Sequence, residues 1–130
     1  MLEKVLNKRW YNRLNKIFIN RQPFSKSNFI NEVLADDSLK KESIEVVYDY
    51  IFEYLPQTLD KNLYPSDDLI NDYDIDDEDI GDIMIKVFKK LGLNFPNVNE
   101  QTMFYEQYGD KLTILQMIKF VEFFRRNRED

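Results

Sequence analysis

The stretch NDYDIDDEDIGDIMIKVFKKLG, residues 71–92, is the part of the sequence that decides the fold. In its second half apolar residues recur at three- and four-residue spacing, which predicts an amphipathic helix. Gly92 follows as a C-terminal stop, and Asp76 or Asp77 is suited to be the N-cap. The stretch therefore predicts a loop that runs directly into a helix. The apolar positions are Ile80, Ile83, Met84, Val87, Phe88 and Leu91.

The same helical spacing occurs on both sides of this stretch. Residues 57–75 form a long polar connection, and its scattered apolar residues are expected to pin it to the body. No alternation of polar and apolar residues typical of a strand is evident, so the predicted fold class is all-α. Helices are predicted over residues 2–18, from a cap at Ser27, from Ser43 to Leu55, from Asn99 to Gly109, and from the capping-box pair Thr113 and Gln116 onward.

Composition excludes several classes of function. The chain of 130 residues has the length of one domain and contains neither cysteine nor histidine. Thiol nucleophiles, disulfides and imidazole bases are therefore absent, and no pair of carboxylates shows the unequal environments that acid–base catalysis needs. No segment has the length and apolarity of a spanning helix or the pattern of a signal peptide. We predict a cytoplasmic protein that is not an enzyme and does not bind a membrane.

Charge is distributed unevenly along the chain. The net charge is −6, yet residues 1–26 carry seven basic side chains and one acidic one. This basic segment could fold back on the acidic remainder or face a separate anionic partner. We favour packing of its apolar stripe on the body. Because base-stacking motifs and a wholly basic domain are lacking, nucleic-acid binding is not predicted.

Seven carboxylates within residues 71–82 raise the question of a metal site. Asp72, Asp74 and Asp76 have the spacing of the first three ligands of an EF-hand loop. The following positions lack the required glycine, apolar residue and glutamate, so no calcium site and no other metal site are predicted. A solvated helix start explains about half of these charges through the helix dipole. It does not require the carboxylates farther upstream.

The run from Asp72 to Glu78 resembles the segment around the attachment site of acyl carrier proteins. There a D-[LF]-G-x-D-S-[LM] motif ends a long loop and begins the second helix. More narrowly, the chain resembles bacterial acyl-carrier-like domains of unknown function, whose last helix begins with an LT-type turn, here Leu112-Thr113. The resemblance implies an acyl-carrier-like four-helix bundle over residues 41–130. A helical hairpin, residues 1–40, would precede it as an N-terminal extension.

The departures from the family motif bear on function. Asp77 stands where the relatives carry the phosphopantetheine-bearing serine, and it has no hydroxyl to hold the arm. Glu78 replaces the following Leu or Met, and Asp74 replaces the glycine. The resemblance thus implies a carrier fold without its cofactor, and no cofactor is predicted.

Acyl carrier proteins meet basic patches on their enzymes through this same face, so we predict a protein-binding module with a basic partner. Its most concrete form is a bacterial immunity or inhibitor protein that neutralises a basic toxin. The alternative is a carrier-like accessory scaffold for lipid or polyketide enzymes. The predicted partner-binding residues are Asp67, Asp68, Asp72, Asp74, Asp76, Asp77, Glu78, Asp79 and Asp82.

Aromatic residues outside the apolar stripes offer a second candidate interface. Tyr50 and Tyr54 point away from the stripe of the third predicted helix, and Phe120 and Phe123 exceed what one helix face needs. Most of the aromatic residues are predicted to form the core and its margin. Exposed rings beside an acidic rim would favour a local protein interface.

Overall fold

Six helices make up most of the described chain. The computed structural model describes residues 7–128, apart from the side chains at positions 105, 108, 127 and 128. Within residues 7–128 there is no strand, and Asp68 and Thr113 form an isolated bridge. The prediction of an all-α fold is therefore confirmed. The helices are α1 (Lys8–Phe18), α2 (Lys26–Leu34), α3 (Lys41–Tyr54), α4 (Asp77–Lys90), α5 (Val98–Tyr108) and α6 (Ile114–Arg128).

Side-chain caps fix the starts of α1 and α2. Asn7 accepts a hydrogen bond from the backbone N–H of Trp10, and Ser25 accepts one from that of Asn28. Such caps satisfy N–H groups that have no partner within the helix. The prediction that Ser27 caps the second helix is wrong, because the chain is still extended at Ser25 and Ser27 already lies inside α2. Of the first predicted helix, residues 8–18 are helical and residues 1–6 lie outside the described part.

The predicted loop-to-helix junction at α4 is present. Asp76 is the N-cap, and its carboxylate accepts a hydrogen bond from the backbone N–H of Asp79 at 2.9 Å. At the other end Gly92 has φ +72°, a left-handed conformation that glycine adopts without strain. The helix therefore begins and ends close to where the sequence predicts.

Two capping boxes begin the last two helices. Thr113 and Gln116 exchange the predicted pair of hydrogen bonds, at 2.7 and 3.0 Å. Asn97 and Glu100 form the same reciprocal arrangement, at 2.8 and 2.9 Å. The latter box places the start of α5 at Val98, one residue before the predicted start at Asn99.

α3 is the central helix, and it packs against α2, α4 and α6. The α1–α2 hairpin belongs to the same hydrophobic core rather than forming a separate one. A single core therefore spans the predicted boundary between residues 40 and 41. The hairpin contributes Trp10, Leu14, Phe18, Phe29, Ile30 and Val33 to it.

Two of the four aromatic residues in the second candidate interface lie in the core. Tyr54 is buried and packs edge-to-face on Trp10, with the ring centroids 5.8 Å apart. Phe120 is buried between α5 and α6, whereas Tyr50 is half-buried and Phe123 is exposed. Tyr54 is therefore not an exposed ring of a local interface, because α1 covers the side of α3 that faces away from the predicted apolar stripe.

A buried ionic cluster joins the start of α3 to α6. Glu122 accepts hydrogen bonds from the Nε and Nη2 atoms of Arg125, at 2.8 and 2.9 Å. It also accepts hydrogen bonds from the Ser43 hydroxyl and the Lys40 backbone N–H. Burial raises the pKa of Glu122, but these donors and the Arg125 charge outweigh it, so the pKa lies below its ordinary value.

No helix among residues 7–128 combines the length and the apolarity needed to cross a lipid bilayer.

Candidate functional site

The connection between α3 and α4 is anchored by the buried carboxylate of Asp67. Arg21, which follows α1, donates two hydrogen bonds to it at 2.7 and 2.8 Å in a bidentate pair. The Tyr73 hydroxyl and the backbone N–H of Tyr64 donate to the same carboxylate. Burial lowers the pKa of Arg21, but the hydrogen bond and charge of Asp67 outweigh it and raise the pKa. This charge-assisted pair fixes the loop to the N-terminal hairpin.

Asp68 organises the next turn of the same connection. It accepts hydrogen bonds from the backbone N–H groups of Ile70 and Asn71, at 2.8 and 3.0 Å, and from that of Leu112. The Asn71 side chain donates a further bond. Burial raises the pKa of Asp68, but these donors together bring it below its ordinary value. Asp68 therefore closes an internal turn and ties it to the segment before α6.

Asp67 and Asp68 must be removed from the predicted partner-binding face. Their exposed fractions are 3% and 5%, and both carboxylates are occupied by donors from within the chain. A buried, internally bonded carboxylate cannot meet a partner without losing these bonds. Seven of the nine predicted residues remain at the surface or its margin.

The basic N-terminal hairpin packs on the acidic connection, which is the arrangement favoured from the sequence. The Trp10 indole N–H donates to the backbone carbonyl of Tyr73 at 2.7 Å. Arg13 donates to the carbonyl of Asn71, and Arg21 to that of Asn62. Of the apolar residues predicted to pin the connection to the body, Leu59, Leu63 and Leu69 are buried and Ile70 is half-buried. The loop is thus held by the helices on which it lies.

At Asp74 the connection turns toward α4. This residue has φ +53°, the left-handed conformation that glycine favours and that aspartate tolerates better than most residues. Tyr73 and Ile75 on either side are fully buried, so the turn is clamped between two core side chains. The result is an exposed carboxylate at a strained backbone position, two residues before the N-cap of α4.

An acidic surface covers this turn and the first turns of α4. We define it as Asp74, Asp76, Asp77, Glu78 and Asp82, which are all exposed. Within the described part of the chain Asp77, Glu78 and Asp82 make no hydrogen bond or ion pair through their side chains. Asp77 and Glu78 lie in the first turn of α4, where the helix dipole stabilises their charges. These carboxylates are therefore available to external donors.

Asp72 and Asp79 lie at the margin of the acidic surface and are half-buried. Asp72 accepts a hydrogen bond from the backbone N–H of Asp68, and Asp79 accepts one from the Tyr54 hydroxyl at 2.5 Å. Burial and the neighbouring Asp79 raise the pKa of Tyr54, so its hydroxyl stays protonated and donating. Both carboxylates therefore hold the backbone on which the acidic surface lies, Asp72 within the connection and Asp79 between α4 and α3.

Beside the acidic surface lies a groove of about 240 Å³ between α4 and the segment carrying α5. This groove is not among the features predicted from the sequence. Three consecutive apolar residues, Ile83 to Ile85, were the available signal, because they span more of the circumference of a helix than one buried face accepts. Ile83 and Met84 are buried, and Ile85 is 49% exposed. The groove is lined by Asp77, Glu78, Gly81, Asp82, Met84, Ile85, Phe95, Gln101 and Phe104.

Among the described residues no group of three or more acidic side chains converges in a way that could hold a metal ion. In comparisons with known proteins, no family model, curated protein or solved structure matches the chain. What the surface offers is fixed negative charge next to exposed apolar side chains. That combination is typical of protein recognition.

Proposed function

We propose that this protein is a non-catalytic binding module that recognises a basic protein partner through its acidic surface. The observation that carries the proposal is the set of unpaired, exposed carboxylates Asp77, Glu78 and Asp82 on a rigid helix start. Fixed charges of one sign accelerate association with an oppositely charged surface and select against like-charged competitors.

The most concrete form of this function is a bacterial immunity or inhibitor protein that acts in the cytoplasm on a basic toxin, such as a nuclease. The small acidic body and the absence of histidine and cysteine from the sequence support an inhibitor rather than an enzyme. A toxin that binds nucleic acid carries a positive surface, which is the complement of this one.

The experiment begins from the neighbouring gene, which we expect to encode the basic toxin. The purified toxin should bind the chain in calorimetry, with an affinity that falls as salt is added. We expect the triple variant Asp77→Lys, Glu78→Lys, Asp82→Lys to weaken binding by about ten-fold or more, because attraction becomes repulsion at three positions. These positions are chosen because Asp76 caps α4 and Asp72 supports the loop, so reversing either would also disturb the fold.

A matched control carries the same change in net charge elsewhere. Glu32→Lys, Asp37→Lys and Asp60→Lys reverse three exposed carboxylates outside the acidic surface. This variant should lose much less affinity than the first, since only its long-range charge has changed. Equal losses in the two triple variants, or no loss in either, would contradict the proposed surface. A neighbouring gene without a basic product would contradict the immunity role.

A second candidate function is the carrier-like accessory scaffold for lipid or polyketide enzymes. One observation favours it: Asp74, at the position of the motif glycine, has the left-handed φ of +53° that glycine favours. Intact-mass measurement after incubation with coenzyme A and a phosphopantetheinyl transferase tests it. We expect no mass shift for the native chain, because Asp77 lacks a hydroxyl. A shift in the Asp77→Ser variant would support the resemblance, and a shift in the native chain would revive the carrier function.

A further inference from the structure

We propose that the groove between α4 and α5 receives an amphipathic helix of the partner, with an apolar residue seated in the groove and Lys or Arg residues against the acidic surface. This inference rests on the proposed function and names the kind of element that the partner presents. Its starting point is that the groove and the acidic surface share Asp77, Glu78 and Asp82.

The groove has an apolar floor and a fixed wall. Met84 and Phe104 form its floor and are 3% and 4% exposed. Phe95 forms a wall; it is 36% exposed, and its ring packs edge-to-face on Phe88 with centroids 5.6 Å apart. Because Phe95 packs on the buried Phe88 ring, this wall is present in the chain without a partner. An apolar side chain entering it would displace water from these surfaces, which is favourable.

The opposite wall sets the order of charge along the groove. Glu78, Asp82 and Ile85 line the groove, and Lys89 continues their stripe along α4 beyond it, at four-, three- and four-residue spacing. The stripe reads acidic, acidic, apolar, basic, and all four side chains are exposed. A complementary segment therefore has its basic residues on one side of its apolar anchor, and this order fixes the direction in which it lies.

The described fold favours a helical segment over an extended one. Residues 7–128 contain no sheet, so there is no sheet edge on which an extended peptide could add a strand. An apolar groove beside a helix is the site that amphipathic helices use, with anchors at three- and four-residue spacing.

A designed peptide tests the proposal without knowledge of the partner. The probe is a stapled helix of about 15 residues, long enough to keep its helicity, with leucines at positions i, i+4 and i+7 and lysines beside the first leucine. We expect saturable binding in fluorescence anisotropy. Ile85→Asp should weaken it by about ten-fold or more, because a charge then enters the apolar wall.

Three comparisons make the result specific. Ile19→Asp alters an exposed isoleucine at the end of α1, 65% exposed and outside the groove, and should leave binding unchanged. A probe with alanines in place of the leucines should bind at least about ten-fold more weakly. A probe with the lysines moved beside the last leucine should also bind more weakly, because the charge order no longer matches.

The outcomes separate this inference from the proposed function. If the Asp77/Glu78/Asp82 reversal weakens toxin binding but Ile85→Asp changes neither toxin nor probe binding, the groove inference fails and the acidic surface stands. Absence of saturable probe binding overturns the groove inference as well. A homodimer that dissociates in the Ile85→Asp variant would assign the groove to a second copy of the chain and would also overturn it.

Discussion

Asp67 and Glu122 are buried carboxylates that each meet an arginine through two parallel hydrogen bonds, and each joins segments that are far apart in sequence. Asp67 connects the α3–α4 loop to Arg21, which lies shortly beyond the end of α1, and Glu122 connects α6 to the start of α3. A buried pair of this kind costs desolvation when it forms, so its net contribution is small. Replacing only one member of the pair lowers the stability of the fold far more, because the other charge is left without a partner.

Asp67→Asn tests this asymmetry. We expect the free energy of unfolding to fall by about 3 kcal/mol, since the Arg21 charge would keep only neutral acceptors. Urea unfolding followed by circular dichroism measures it. Asp60→Asn, at an exposed position of the same connection, should change the value by less than about 0.5 kcal/mol. Equal effects of the two substitutions would contradict the structural role of Asp67.

The pH dependence of stability should reveal Glu122. Its pKa in the folded state lies below the ordinary value of 4.5, so its stabilising effect is complete above 4.5 and is lost as pH falls through the lower, folded value. Glu122→Gln should be less stable at neutral pH, and its stability should fall less steeply in this acidic window. Urea midpoints measured from about pH 7 to about pH 3 test this. If the urea midpoints of the native chain and of Glu122→Gln fell in parallel with pH, the stabilising role of the ionised Glu122 would be contradicted.

The same residues show where prediction from the sequence stops. Asp67 and Asp68 were assigned to the partner-binding face because they lie near other carboxylates in sequence. Their partners Arg21 and Leu112 are 46 and 44 residues away, and no local pattern indicates that pairing. Charge density along a chain therefore does not distinguish an internal anchor from an exposed charge.

At the scale of elements, the junction of the connection with α4 combines a left-handed residue, a buried isoleucine and an N-cap within three positions. The strained member is Asp74, with φ +53°. A side chain with a Cβ atom costs about 1–2 kcal/mol in this conformation, less for aspartate than for most residues. The junction is thus kept in place by its neighbours Tyr73 and Ile75, which are both buried.

Asp74→Gly should raise the free energy of unfolding by about 0.5 kcal/mol. The free energy gained by relieving the backbone strain exceeds the entropic cost of the greater freedom that glycine gives the unfolded chain. Asp74→Val should lower it by about 1–2 kcal/mol, since a branched Cβ is worst tolerated there. Chemical denaturation of both variants measures their free energies of unfolding and checks that the glycine variant is the more stable one. A glycine variant less stable than the valine variant would contradict the left-handed geometry.

Elements were predicted where their signals are local. The spacing of α4, the stop at Gly92 and the box between Thr113 and Gln116 each lie within a few residues of the element that they mark, and the structure confirms them. The cap of α2 was misplaced because Ser25 and Ser27 are equally suited by type, and only the backbone conformation separates them. The groove was missed because it depends on how α5 lies beside α4.

At the scale of the whole molecule, the N-terminal hairpin and the remaining helices share one core. Trp10, the one tryptophan of the chain, is 3% exposed and donates its indole N–H to the loop before α4. Its fluorescence therefore reports on contact between the hairpin and the rest. Circular dichroism reports on the helices of the whole chain.

The two signals should change together during urea unfolding, with the same midpoint and slope, because the hairpin and the remaining helices share one core. A fluorescence transition at clearly lower urea would mean that the hairpin detaches first. In Arg21→Ala, which weakens the link between the hairpin and the loop, both transitions should move to lower urea by the same amount.

The anchoring of the loop by Asp67, Asp68 and Trp10 has a kinetic consequence. A segment that is ordered before it meets its partner loses little further entropy on binding, so long-range attraction can translate directly into a high association rate. Loosening the anchors should slow productive encounter even where no contact residue has changed. Inherited variation far from the partner could thereby alter how quickly a target is captured, while the final complex keeps the same contacts.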